Sequence, residues 1–159
     1  MKKVEFPFVK CGKVFEPELP DQLRPYEPPI LLAEVRVNPK NRSKPCILVK
    51  YSEFITLSFL GLNPKLTLTY RLVKETNSNE KAQILEEWDF GFDSLEVFEV
   101  TTVDTKQPTV LTFCDCLDCE KDEDIIYKLE IVQIDTNSVK NFAITNQLIT
   151  ATVIQGEVQ

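Results

Sequence analysis

The chain has 159 residues, a formal net charge of −7 and a pI near 4.7. That balance argues against nucleic acid or an anionic membrane as partner, because both require clustered Lys and Arg. With no histidine, Ser-His-Asp and Cys-His catalysis, His-ligated zinc and imidazole acid–base chemistry are all excluded. A hydrophobic fraction of 43% at this length supports one domain that buries a core without disulfides, so five cysteines need another account.

The segment from Met1 to Lys13 has no apolar run of signal-peptide length and no small-residue cleavage site, so neither a leader nor a membrane helix is expected. Val4 to Lys10 can be extended with Phe6 and Phe8 on one face. Pro7 makes it an edge strand or a docked arm. Pro17, Pro20, Pro25, Pro28 and Pro29 exclude helix and leave either a semi-rigid linker or an ordered loop draped over the domain. We therefore expect an arm and linker over residues 1–29 and a compact domain over 30–159.

Ile30 to Val37 reads as a strand whose alternation slips between Leu32 and Val35, the mark of a bulge. Cys46 opens a strand with Ile47, Val49 and Tyr51 on one face. Phe54 to Leu62 is apolar on both faces and fits a buried strand or a short helical turn. Leu66 to Leu72 alternates most cleanly, with Leu66, Leu68, Tyr70 and Leu72 on one side. Trp88, Phe90 and Phe92 mark another strand, and Leu95 to Val100 one more. Asp104 to Pro108 reads as a loop, Val110 to Phe113 as a strand, and Tyr127 to Val132 as the next. Asp135 to Ser138 reads as a turn, and a last strand runs from Phe142 to Ile154. About eight strands without an amphipathic helix predict an all-β, antiparallel β-sandwich, with a jelly roll as the expected order.

Chemistry concentrates in Cys114-Asp115-Cys116-Leu117-Asp118-Cys119, with Cys11 and Cys46 elsewhere. Structural zinc wants four thiolate or imidazole ligands, so Cys46 or Cys11 would have to join the corner from a distance. A thioredoxin-like role needs the C-x-x-C at a helix N-terminus, and Asp115, Asp118 and Glu120 work against thiolate formation. Disulfides within the corner, or between Cys46 and the corner, are a third reading. Because the count is odd, one thiol would stay unpaired, and Cys11 is placed to reach another subunit. Reduced, inert cysteines are the fourth. No catalytic residue, metal ligand or cofactor is assigned.

The remaining candidates read as structure. Glu120 to Asp124 lacks the spacing of a calcium loop and fits a solvated turn. Glu86 and Glu87 point to opposite faces of a strand and cannot flank one bond. Trp88, Tyr51 and Tyr70 suit a sugar site less well than a core. Asn41-Arg42-Ser43 matches a glycosylation acceptor, which is uninformative by itself.

Val9-Lys10-Cys11-Gly12, Pro45-Cys46 through Tyr51-Ser52, Leu66 to Leu72, Trp88-Asp89-Phe90, Phe113-Cys114-Asp115-Cys116 with Cys119, and Tyr127 to Ile131 follow one another in this order. In these marks the chain resembles an uncharacterised family of cysteine-containing clostridial proteins of spore-surface type. It departs from that family in fewer cysteines, more charge and a longer proline-rich linker. More loosely, in architecture alone, it is similar to the jelly-roll subunits of bacterial endospore appendages.

Those resemblances imply a non-enzymatic, self-assembling structural subunit, a homo-oligomer or filament, with other spore-surface proteins as further partners. Synthesis in the mother-cell cytoplasm would explain the missing leader. They imply residues 1–29 as a connector and Cys11 as the intermolecular thiol, with Cys46, Cys114, Cys116 or Cys119 as its partner. The alternative is a monomeric jelly-roll module that binds a carbohydrate or another surface protein.

Overall fold

The computed structural model describes residues 6–40, 42–78, 81–93, 103–118 and 122–155. Nine strands and no helix are found among them: β1 Phe8–Cys11, β2 Lys13–Val14, β3 Ile30–Val37, β4 Pro45–Phe59, β5 Lys65–Thr76, β6 Gln83–Asp93, β7 Val103–Cys116, β8 Ile125–Asn137 and β9 Val139–Gln155. They form a four-stranded sheet, β1-β9-β4-β7, packed on a five-stranded sheet, β2-β3-β8-β5-β6. The seven pairings among the described residues are all antiparallel, and four of them are nested: β1 with β9, β3 with β8, β4 with β7, β5 with β6. A long hairpin rolled up in this way is a jelly roll.

Period-two alternation builds the core. Ile47, Val49, Tyr51, Ile55, Leu57 and Phe59 of β4 are buried, facing Leu66, Leu68, Tyr70 and Leu72 of β5 and Tyr127, Leu129 and Ile131 of β8. The apolar run from Phe54 is thus the second half of one strand, and the chain turns only at Gly61 and Asn63, both with positive φ. The expected bulge in β3 lies between Leu31 and Ala33.

Two local expectations are corrected. Asp104 to Pro108 is not a loop but the start of β7, paired with Ser58 to Phe54. The long β4 supplies a partner for the whole segment. An edge strand tolerates Pro108 when the missing N–H faces away from the sheet. Asp135 to Asn137 likewise stay in β8, and the turn into β9 is made at Ser138, whose φ is 53°. The strand expected at Leu95 to Val100 lies outside the described residues.

The N-terminal segment is built into both sheets. β1 pairs with Thr150 to Val153 of β9, and β2 pairs with Ala33 and Glu34 of β3. The chain changes sheets at Gly12. A Cβ there would stand 2.3 Å from the Glu34 carbonyl oxygen and 2.5 Å from Ile149 Cγ2, so only glycine fits. Buried Arg42 fastens the same segment. It donates to the Phe6 carbonyl at 2.6 Å and the Val153 carbonyl at 3.5 Å, and its guanidinium lies 5.0 Å from the Phe8 ring. The proline-rich stretch is ordered along β8: Leu23 exchanges two backbone hydrogen bonds with Ile134, and Thr136 donates to the Asp21 carbonyl.

Candidate functional site: the cysteine face

The outward face of the four-stranded sheet carries the cysteines. In register across β1, β9, β4 and β7 stand Val9, Thr152, Leu48 and Cys114. The next row holds Cys11, Thr150, Lys50 and Thr112. Leu148, Ser52 and Val110 continue the face at one end, and Ile154, Cys46 and Cys116 at the other. Val9, Val110 and Leu148 are 59%, 57% and 51% exposed, so apolar side chains stand open to solvent among the threonines and Lys50 of this face.

Cys46 and Cys116 are directly opposed on β4 and β7 and form a disulfide, with Cα atoms 4.0 Å apart. The β4–β7 ladder has no bulge, so this pair has the same parity as Phe54 and Pro108 eight residues away. Pro108 cannot donate to β4, which makes both non-hydrogen-bonded positions, where side chains approach most closely. Of the pairings left open by the sequence, the one between Cys46 and the corner is formed.

Cys114 stays a free, exposed thiol with its Sγ 3.8 Å from that of Cys116. Cys11 is also free and exposed, on the opposite edge of the sheet. Three strand spacings and one register step separate it from Cys114, roughly 16 Å. No disulfide can close across that distance within one chain. Cys119 lies outside the described residues. Cys116 sits in a strand, not at a helix N-terminus, so the arrangement a thioredoxin-like C-x-x-C needs is not formed.

Cys11 also borders a groove of about 620 Å³ with Lys10, Lys13, Arg36 and Lys40 against Glu34 and Asp124. A second groove, about 660 Å³, runs between Glu16–Leu19 and Phe142–Gln147 of β9. β1 covers only Thr150 to Val153, so among the described residues the earlier part of β9 has ladder partners on its β4 side alone.

Behind the cysteine face the sandwich encloses Tyr51 and Tyr70, expected in the core, together with Glu53 and Gln147, neither of them expected there. Glu53 is 2% exposed and accepts hydrogen bonds from Tyr51 (2.5 Å) and Tyr70. Gln147 donates to the Tyr51 hydroxyl at 2.9 Å. Desolvation holds the Glu53 carboxyl above its usual range against the lowering effect of the two phenols. Burial, then the Glu53 charge, pushes both tyrosines up. The signal was present in the sequence: Glu53 falls in phase with Tyr51 and Ile55. Thr109, opposite Glu53 on β7, has a buried hydroxyl without a hydrogen-bond partner.

A second, partly buried link lies beneath the cysteines. Asp115 accepts from Lys74 and from Tyr127, both at 2.6 Å, joining β7 to β5 and β8. Trp88, Phe90 and Phe92 face inward against the core and Tyr70 is fully buried, so they form no exposed aromatic platform.

No curated protein matches the chain. A family profile described as "Domain of unknown function (DUF4489)" matches residues 7–154, which takes in every strand but the last residue of β9 and all five cysteines. The chain, an all-β jelly roll with a cross-strand disulfide and free thiols on one exposed sheet face, therefore belongs to the DUF4489 family.

Proposed function

We propose that this protein is a non-enzymatic structural subunit that assembles with copies of itself and is locked by intermolecular disulfides. The observation that carries the reading is the placement of Cys11 and Cys114. Two free thiols occupy opposite edge strands of one exposed sheet face, too far apart to pair with each other in one chain. A bond from Cys11 of one copy to Cys114 of the next is heterologous, and such contacts build fibres when they do not close into rings. The cationic groove beside Cys11 suits the acidic sequence around Cys114, where Asp118 and Asp122 follow. Open backbone on β9 and the short β1 offer strand addition or exchange between copies as the non-covalent part of the contact. Assignment to a spore-surface layer or appendage rests on the sequence resemblance described above.

The test is oxidation of the purified full-length chain, followed by non-reducing electrophoresis, peptide mapping and negative-stain electron microscopy. The expected result is a covalent ladder containing the Cys11–Cys114 linkage, and ordered filaments or sheets. Uniform monomers under oxidising conditions would overturn the reading.

A second reading has one feature in its favour. A cleft of about 320 Å³ opens between β6 and β7, lined by Trp88, Phe90, Pro108 and Thr109. A monomeric binding module would hold its carbohydrate or surface-protein ligand there, and Trp88 fluorescence would report its entry.

A further inference from the structure

Three sulfur atoms meet on the exposed sheet face. Cys114 and Cys116 are two residues apart on β7, so their side chains point the same way, and Cys46 faces Cys116 from β4. All three Sγ atoms lie within 4.8 Å of one another. Thiolates held tetrahedrally at about 2.3 Å from zinc are about 3.8 Å apart. Cys114 and Cys116 already stand at 3.8 Å. The ladder beneath them is unbroken from Cys46–Cys116 to Phe59–Val103, which fixes the three positions relative to one another.

We propose that reduction of the Cys46–Cys116 disulfide turns these three cysteines into a binding site for a thiophilic divalent cation of the zinc and cadmium class. A dithiol supplies two electrons and two protons to split the S–S bond and becomes a disulfide; a phosphine supplies the electrons and becomes its oxide, with water giving the oxygen and the two protons. The two sulfurs leave as thiols. On metal binding the coordinating thiols release their protons to solvent. Bond and metal use the same sulfurs, so the oxidised state and the metal-bound state exclude each other. Cys11 is no ligand, because it lies roughly 16 Å away by strand spacing and register. Strands carry the ligands, and Cys114 and Cys116 are exposed to solvent. The site shares Cys114 with the assembly reading but does not rest on it, because assembly concerns the oxidised chain and metal binding the reduced one.

The experiment is an anaerobic cadmium titration of the phosphine-reduced, desalted full-length protein, followed by its thiolate-to-cadmium absorption band, with zinc as competitor. One equivalent is expected to bind to the reduced chain and none to the oxidised chain. Cys114→Ser and Cys46→Ser, conservative changes on the outer face, are expected to weaken binding at least about ten-fold. A C11S/C119S double variant keeps the three cysteines and is expected to bind as the parent does. No binding by the reduced chain, equal binding by the oxidised chain, full affinity in Cys114→Ser, or loss in the double variant would each overturn the proposal.

Discussion

Tyr70, on β5 of one sheet, donates its hydroxyl proton to Glu53, on β4 of the other, so a buried hydrogen bond joins the two layers of the sandwich. Tyr51 donates to the other carboxylate oxygen from two residues away. A carboxyl here is tolerated because it is partnered.

The burial of Glu53 predicts a pH dependence. Desolvation raises its folded-state pKa above the ordinary carboxyl value of 4.5. Between the unfolded and folded pKa the native chain holds a proton that the unfolded chain has lost. Its contribution to stability is therefore full below about pH 4.5 and is lost as pH rises through the folded pKa. Glu53→Gln is expected to flatten this fall in urea-denaturation stability measured from pH 4 to 8. A variant with the parent's slope would show that Glu53 does not titrate between the two states. Tyr51, Tyr70 and Tyr127, all raised chiefly by burial, extend the decline above pH 10, the unfolded value for each.

Glu53→Leu should behave differently. It removes the acceptor from two buried phenols, and although Tyr51 still accepts from Gln147, both hydroxyl protons lose their partner, at a cost of about 1–3 kcal/mol for each. Equilibrium unfolding at pH 5 compares it with Glu53→Gln, and the leucine variant is expected to be the less stable of the two.

The Cys46–Cys116 bond closes a loop with a sequence separation of 70 residues. Loop-closure entropy alone assigns it about 4 kcal/mol. Cys116→Ser is therefore expected to lower the denaturation midpoint of the oxidised protein strongly and to leave that of the reduced protein nearly unchanged. Equal midpoints for the oxidised variant and the oxidised parent would show that the bond carries no stability.

Gly12 and Arg42 hold the N-terminal strand. Gly12→Ala drives a methyl group into the Glu34 carbonyl and Ile149, and Arg42→Ala removes the clamp on Phe6, Phe8 and Val153. Either change is expected to expose residues near Cys11 to limited proteolysis while the β4–β9 and β5–β8 pairings persist. Hydrogen exchange separates the two regions. Unchanged protection of β1 in both variants would contradict this account of its attachment.

Deleting residues 1–29 removes β1, β2 and the Leu23–Ile134 bridge. If the N-terminal segment connects copies, the remaining sandwich folds but no longer assembles under oxidising conditions. A truncated chain that forms the same polymers would rule that segment out as the connector.

Alternation made much of this fold legible. Leu66 to Leu72, and Ile47, Val49 and Tyr51, carry their own burial pattern, because a strand side chain can only face one layer or the other. The same rule could have marked Glu53. It failed at Asp104 to Pro108, where polar residues and a proline imitate a loop. What makes that segment a strand is β4 lying beside it, with a partner more than forty residues away in sequence. Local propensity does not register such a neighbour.

The cysteines divide in the same way. Composition and order by themselves determined an all-β domain, the exclusion of histidine chemistry, and a thiol-rich corner at the end of a strand. Tertiary structure alone decided that Cys46 joins Cys116, that Cys114 stays beside them as a thiol, and that Cys11 is stranded on the far edge of the same sheet. The reason is geometric: a disulfide depends on a few ångströms between Cα atoms, and that distance is set by strand order and register.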